Sequence, residues 1–310
     1  MKCHLRNFLF IVVFVMLAPS NIYARQLIPM GQSIGIQLQL PFVYISHDVL
    51  LPDGQWLKQG DMVTELNGQK LSKLAVLQKQ QQSIQLTIEH NNKERTFELS
   101  KEEVNNLLPF LKDETDGIGT LTFIDPESKE YGALGHQIID STLKQPPSFR
   151  NGAIYLASIT QLKKSTPGQP GYKVSVVDKS AARLGSILKN DVYGIFGYWE
   201  QELQHSVQRP MKIIHEKDLK LGAAELFTAI EGNDVRAFDI EIDKIEGSLI
   251  QFKVTDRELL EKTGGILQGM SGSPIVQNGQ FVGAVTHMYV EEPTKGAGIL
   301  IIEMLKKTPN

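Results

Sequence analysis

The sequence predicts a mainly β chain of two units: a small N-terminal domain over residues 27–101 and a larger body over 116–310, joined by a linker over 102–115. Three observations carry this expectation. Apolar residues recur with period two in short runs rather than with the helical period. The runs are separated by turn pairs such as Asn67-Gly68, Asn91-Asn92 and Asn278-Gly279, which tolerate the left-handed backbone of tight hairpins. With 310 residues, 41% of them hydrophobic, the chain can fill two modest cores.

Residues 1–24 read as a targeting segment: Lys2 and Arg6 precede an apolar run over 8–18, and Ala24 is small enough for cleavage. The alternative is an uncleaved N-terminal anchor, favoured by Ile22 where signal peptidase prefers something smaller. Either way the body is expected to be secreted across a membrane. Cys3, the single cysteine, falls inside this segment, so neither a disulfide nor a thiolate metal site is expected. Without Lys2 and Arg6 the body has 30 basic against 35 acidic residues. A mildly acidic surface lacking a Lys/Arg cluster excludes nucleic acid as an expected partner. No cofactor is expected, and no His-x-x-x-His or carboxylate cluster has metal-ligand spacing.

In the first unit, Ser33-Ile34-Gly35-Ile36 and the alternating Gln37-Leu38-Gln39-Leu40 suggest a turn feeding a strand. Residues 57–68 read as a turn, a strand and an Asn-Gly hairpin, and 84–90 with 95–99 as a closing hairpin. The stretch Gly60-Asp61 to Asn67-Gly68 resembles a PDZ domain. That resemblance implies that Ser33, Ile34, Gly35 and Ile36 present backbone N–H groups to a peptide carboxylate, with the next strand accepting the peptide as an added edge. The alternative is a small β unit that binds nothing. Residues 102–114, with Leu107-Leu108-Pro109-Phe110 at their centre, read as a short helix or linker.

The body returns to β character at 117–124, 152–161, 173–177, 192–196, 237–242 and 249–254. Many short strands between Gly, Pro and Asp turns predict a barrel or sandwich. Helices are expected only near 220–228 and 257–262.

The segment carrying chemistry is Gly269-Met270-Ser271-Gly272-Ser273-Pro274-Ile275-Val276, followed by Asn278-Gly279 and Val282-Gly283-Ala284-Val285-Thr286-His287. It is similar to the nucleophile region of chymotrypsin-like peptidases and implies a double β-barrel. Glycines allow a tight bend in which the N–H groups of Gly269 and Ser271 converge as an oxyanion hole. Each such donor is worth roughly 3 kcal/mol in the transition state. Ser271 is the expected nucleophile, with Ser273 the competitor. A serine hydroxyl needs a base, and His136, in Tyr131-Gly132-Ala133-Leu134-Gly135-His136, has the small-residue frame that would expose an imidazole at a turn. His287 ends the strand expected to border the substrate pocket, as a pocket residue or as a polar strand cap.

Residues 117–120, 131–136, 163–168, 194–197 and 263–275 together resemble the SpoIVB peptidases, in family order and over essentially all of residues 27–305. The resemblance implies a sporulation-signalling serine endopeptidase in the forespore intermembrane space. It would cleave a membrane-bound regulator so that an intramembrane protease can process a late sigma-factor precursor, and it would cleave itself near the N-terminus. A peptide tail would be taken by the PDZ-like unit. The resemblance carries over Ser271 as nucleophile, His136 as base and Asp256 as third residue; Asp140, four residues after His136, is the rival. The remaining alternatives are an HtrA-like envelope peptidase, in which the PDZ follows the protease, and an inactive PDZ scaffold.

Overall fold

The computed structural model describes residues 25–309 other than 181 and 204–208, so the targeting segment and Cys3 lie outside the described residues. The second half closes into a six-stranded barrel, in the spatial order Gly222–Ala229, Val235–Glu246, Leu249–Val254, Lys295–Leu300, Gln280–Met288 and Pro274–Gln277. Period-two alternation builds it: Phe238, Ile240 and Ile242 point inward while Asp239, Glu241 and Asp243 face water. The helix expected near 220–228 is instead the strand Gly222–Ala229. Its Ala and Leu content favours a helix, but eight consecutive pairs to the strand Val235–Glu246 and the burial of Ala224, Leu226 and Thr228 override propensity. The other expected helix forms at Arg257–Thr263, on the chain between the barrel strands Leu249–Val254 and Pro274–Gln277.

A second ring precedes this barrel. Leu111–Ile124 lies between Glu130–Ala133 and Ser33–Ile45, and Ser33–Ile45 pairs on with Asn151–Lys163, then Gly185–Ile187. Gly194–Tyr198 pairs with Glu130–Ala133 and closes the circuit through Glu200 N–H to Leu184 C=O (2.9 Å) and Leu188 N–H to Phe196 C=O (2.8 Å). Ile34, Ile36, Leu38, Leu121, Ile154, Ile187 and Ile195 fill the interior. Two barrels were the expectation, but one stave of the first comes from the segment assigned to the N-terminal domain.

That placement corrects the peptide-binding assignment. Ser33, Ile34 and Ile36 are buried, and both edges of their strand are occupied: Ile34 pairs with Gly119 on one side and Leu156 on the other, and Ile36 with Gly117 and Ile154. A valine side chain already fills the space over Gly35, where an added Cβ would stand 2.4 Å from Val177. No backbone donor there is free for a carboxylate or an added strand.

The linker over 102–115 is likewise structured. A capping box of Ser100 and Glu103 starts the helix Lys101–Leu107, and after Leu108–Phe110 the chain enters the strand Leu111–Ile124 without a break. Residues between Phe42 and Phe110 thus form a lobe inserted between two adjacent ring strands. Its hairpin Ile84–His90 and Lys93–Leu99 turns at Asn91-Asn92 as expected, and its own core gathers Val43, Val63, Leu86, Ile88, Phe97 and Leu107. Among the described residues, no helix is long and apolar enough to cross a membrane.

Candidate active site

Ser271 sits in the bend before Pro274–Gln277, the last strand of the closed barrel. Two glycines shape it, Gly269 at φ +95° and Gly272 at φ +94°, a region closed to most side chains. Gly272 is also a contact point between the barrels. A Cβ there would lie 2.3 Å from the Thr120 carbonyl oxygen and 2.5 Å from the Leu134 nitrogen, both in the first ring.

The bend is held by its carbonyls. Gln268 C=O accepts from Lys173 N–H (3.1 Å) and Met270 C=O from Ser273 N–H (2.9 Å). A trans peptide is planar with its N–H antiparallel to its C=O. Pinning those two carbonyls therefore fixes the opposite N–H groups, which belong to Gly269 and Ser271. Among the described residues, neither of these two N–H groups has a hydrogen-bond partner, whereas Met270, Gly272 and Ser273 N–H all do. The two donors expected for an oxyanion are thus the two left open.

Thr120, part of the 117–120 block of the family resemblance but assigned no role by the sequence, completes the support. Fully buried on the first ring, it donates its hydroxyl to Gly269 C=O (2.7 Å) and its N–H to Ser271 C=O (3.1 Å), and accepts from Leu134 N–H (3.1 Å). Ser165 does similar work one step earlier, donating Oγ to Ile266 C=O and accepting from Gly171 N–H, both at 2.8 Å. Beneath the bend lies Lys173. Its Nζ donates to Thr228 Oγ1 (3.1 Å), which also takes the Ser273 hydroxyl (3.0 Å). Burial lowers the Lys173 amine to about 7. Ser273, the competing nucleophile, is fully buried in this network and does not reach the surface.

His136 follows the ring strand Glu130–Ala133 through Leu134 and Gly135, both left-handed at φ 74° and 70°. A leucine in that region is strained. It is tolerated because Leu134 is packed against Gly119, where even a Cβ would collide with it. Gly135 lies against the Val285 carbonyl, which brings this turn onto the strand that runs to Thr286 and His287. His136 and Ser271 line one open cleft of about 400 Å³, together with Pro170, Ile266, Leu267, Gln268, Thr286, His287, Met288 and Val290. The Ser271 hydroxyl rests on Thr286 C=O (3.1 Å), and His136 Nδ1 faces its neighbour's carbonyl, Gln137 C=O (2.9 Å). Since that carbonyl can only accept, Nδ1 carries the proton and Nε2 keeps the lone pair.

His287 is a cleft residue. Thr286 Oγ1 spends its proton on Ala297 C=O (3.1 Å), so it accepts from His287 Nδ1 (2.9 Å). Desolvation, then the nearby His136, lower the His287 value.

Neither candidate for the third residue lines the cleft. Asp256 is the N-cap of the helix Arg257–Thr263, accepting from Leu259 N–H at 2.8 Å. Asp140 is buried, with Thr142 and Leu143 N–H on Oδ1 and Tyr44 and Thr115 hydroxyls on Oδ2. All its lone-pair positions are taken, leaving none for an imidazole N–H.

A family model described as SpoIVB peptidase S55 matches residues 103–305. No curated protein matches the chain. Among solved structures, the active form of the Rv3671c protease from M. tuberculosis is 15% identical with a TM-score of 0.37, covering 62% of this chain and 72% of that one. The inactive form of Rv3671c is 14% identical with a TM-score of 0.35, covering 62% of this chain and 85% of that one.

Proposed function

We propose, from the premise that this chain belongs to the SpoIVB peptidase S55 family and is a serine peptidase, that Ser271 is its nucleophile and His136 its general base. The observation that carries this reading is the shared cleft: an imidazole from the first ring and a hydroxyl from the second barrel line it together, beside two unpartnered backbone donors. His136 Nε2 takes the Ser271 proton as Oγ attacks the scissile carbonyl. The oxyanion forms against the N–H groups of Gly269 and Ser271. Gln137 C=O holds the imidazole in the tautomer this step needs, and the proton then passes from Nε2 to the leaving amine.

The cleft walls favour a substrate with a neutral, apolar side chain next to the scissile bond: Ile266, Leu267, Met288 and Val290 line it and, among the described residues, no lysine, arginine or carboxylate does. Family membership further supports a membrane-bound protein regulator in the forespore intermembrane space as substrate, with sporulation signalling as the context. The basic start and apolar run of residues 1–24 support delivery across a membrane.

The test is hydrolysis of a peptide library by wild type and Ser271→Ala, read by mass spectrometry. The expected result is cleavage beside apolar residues in wild type and a loss of at least about 10⁴-fold in the variant. Equal turnover by both proteins would refute the assignment.

A further inference from the structure

The loop after His136 is irregular, and two side chains anchor it. Asn190 holds Ile138 from both sides, accepting from its N–H at 2.8 Å and donating to its C=O at 3.0 Å. Asp140 holds the turn that follows. Oδ1 accepts from Thr142 and Leu143 N–H, both at 2.8 Å, while Asp140 N–H donates to Gln145 C=O (3.0 Å) and Asp140 C=O accepts from Lys144 N–H (2.9 Å).

The other carboxylate oxygen looks outward from this loop. Oδ2 accepts from Thr115 Oγ1 at 2.5 Å and from Tyr44 Oη at 3.2 Å. These hydroxyls come from Leu111–Ile124 and Ser33–Ile45, the two strands that leave the ring to carry the inserted lobe. Tyr44 stands at the crossing itself, paired with Met62 of the lobe on one side and Lys112 on the other. Tyr44 and Asp140 are 1% and 3% exposed, so neither can exchange these bonds for water. A cavity at the same junction is lined by Leu74 of the lobe, by Lys112, Asp113, Glu114 and Asp116, and by Ile139 and Ser141 of the loop.

The charge state suits the arrangement. Burial alone would push Asp140 up, but Thr115, Leu143, Thr142 and Tyr44 together draw it below the ordinary carboxylate value. Burial, then the Asp140 charge, raise Tyr44 to about 12, so the phenol keeps its proton to donate.

We propose that Asp140 is a positioning residue through which the inserted lobe sets where His136 stands in the cleft. It does no chemistry, since its four acceptor positions are filled. It joins the turn beyond the imidazole to both strands entering the lobe, and Thr142 of the same turn also meets the Tyr44 hydroxyl. Displacement of the lobe relative to the ring therefore reaches the base through Asp140, beside the route along Leu111–Ile124, whose Thr120 ties Leu134 to the nucleophile bend. The inference rests on the Ser271–His136 reading above.

The test removes the two outer hydroxyls and leaves the carboxylate's own turn intact. The double variant Tyr44→Phe/Thr115→Val is expected to lose about 10- to 100-fold in kcat, the worth of hydrogen bonds to a charged group, with KM changed less than about threefold. Amide exchange should quicken over residues 136–145 and stay unchanged in the closed barrel. Thr115→Ser, which keeps the hydroxyl, should restore the Thr115 share. Wild-type kcat in a folded double variant would overturn the proposal, as would a loss that merely tracks the unfolded fraction. If wild type itself failed to cleave peptides, the peptidase reading would fall instead, and the two failures are told apart by that control.

Discussion

The two walls of the cleft are built on different principles. The Ser271 bend is clamped through its carbonyls: Lys173 N–H on Gln268, Ser273 N–H on Met270, Thr120 N–H on Ser271 and the Thr120 hydroxyl on Gly269. The His136 turn has a single main-chain carbonyl on the imidazole and reaches its next anchors through the side chains of Asn190 and Asp140. The difference teaches where rigidity is needed. Oxyanion donors act only if they stand ready before charge develops, so the bend is preorganised. A base can be brought into line by its support, and that support runs to the inserted lobe.

The largest expected effect follows from breaking the rigid wall. Gly272→Ala puts a methyl group 2.3 Å from the Thr120 carbonyl oxygen at a backbone angle that disfavours it, forcing the bend away from the first ring. A loss of at least about 10²–10³-fold in kcat/KM is expected, measured against a peptide substrate. Retention of full activity would mean that the bend is not the rigid element described.

A second measurement asks what rigidity costs. The Lys173 amine falls from 10.5 to about 7 through burial, so the folded state holds this proton less tightly than the unfolded chain. Between pH 7 and 10.5 the unfolded state binds more protons, and stability rises with pH; at and below 7 the full penalty is present. Lys173→Met should thus stabilise the protein by on the order of 2–4 kcal/mol at pH 6, with the gain shrinking toward pH 10, in denaturant melts at several pH values. A gain independent of pH would contradict a buried amine.

The smallest effect sharpens the comparison on the histidine side. As a helix cap, Asp256 should tolerate Asn with no loss, and Asp256→Ala should cost about 1 kcal/mol of stability. As an imidazole partner, Asp256→Asn would drop kcat about 10⁴-fold. Steady-state kinetics of Asp256→Asn separate the two roles cleanly.

What was legible in the sequence was local. Asn278-Gly279 turns its hairpin with both residues left-handed, Leu249–Val254 has the bounds its alternation gave, and the glycines around Ser271 announced a bend. What was hidden is pairing across long separations. Nothing near Ser33 reveals that its strand lies between residues around 118 and 155, so a buried stave read as a peptide-binding loop. Gly222–Ala229 read as helix for the same reason, its partners lying in the barrel rather than within the segment. Thr120 stood in the 117–120 block of the family resemblance but its role could not be read, because a threonine in a strand has no distinctive spacing; only the second barrel, about 150 residues on, gives its hydroxyl a task. Asp140 and Asp256 show the converse. Carboxylates at suggestive offsets from His136 and Ser271 serve a turn and a helix cap.

Catalysis as proposed depends on the imidazole of one barrel activating the hydroxyl of the other. The direct measurement is the rate at which a fluorophosphonate labels wild type and His136→Ala, with the labelled residue mapped by mass spectrometry and folding checked by melting. The expected result is rapid labelling at Ser271 in wild type and almost none in a folded His136→Ala protein. Labelling at Ser273, or labelling of Ser271 at an undiminished rate without the imidazole, would contradict it.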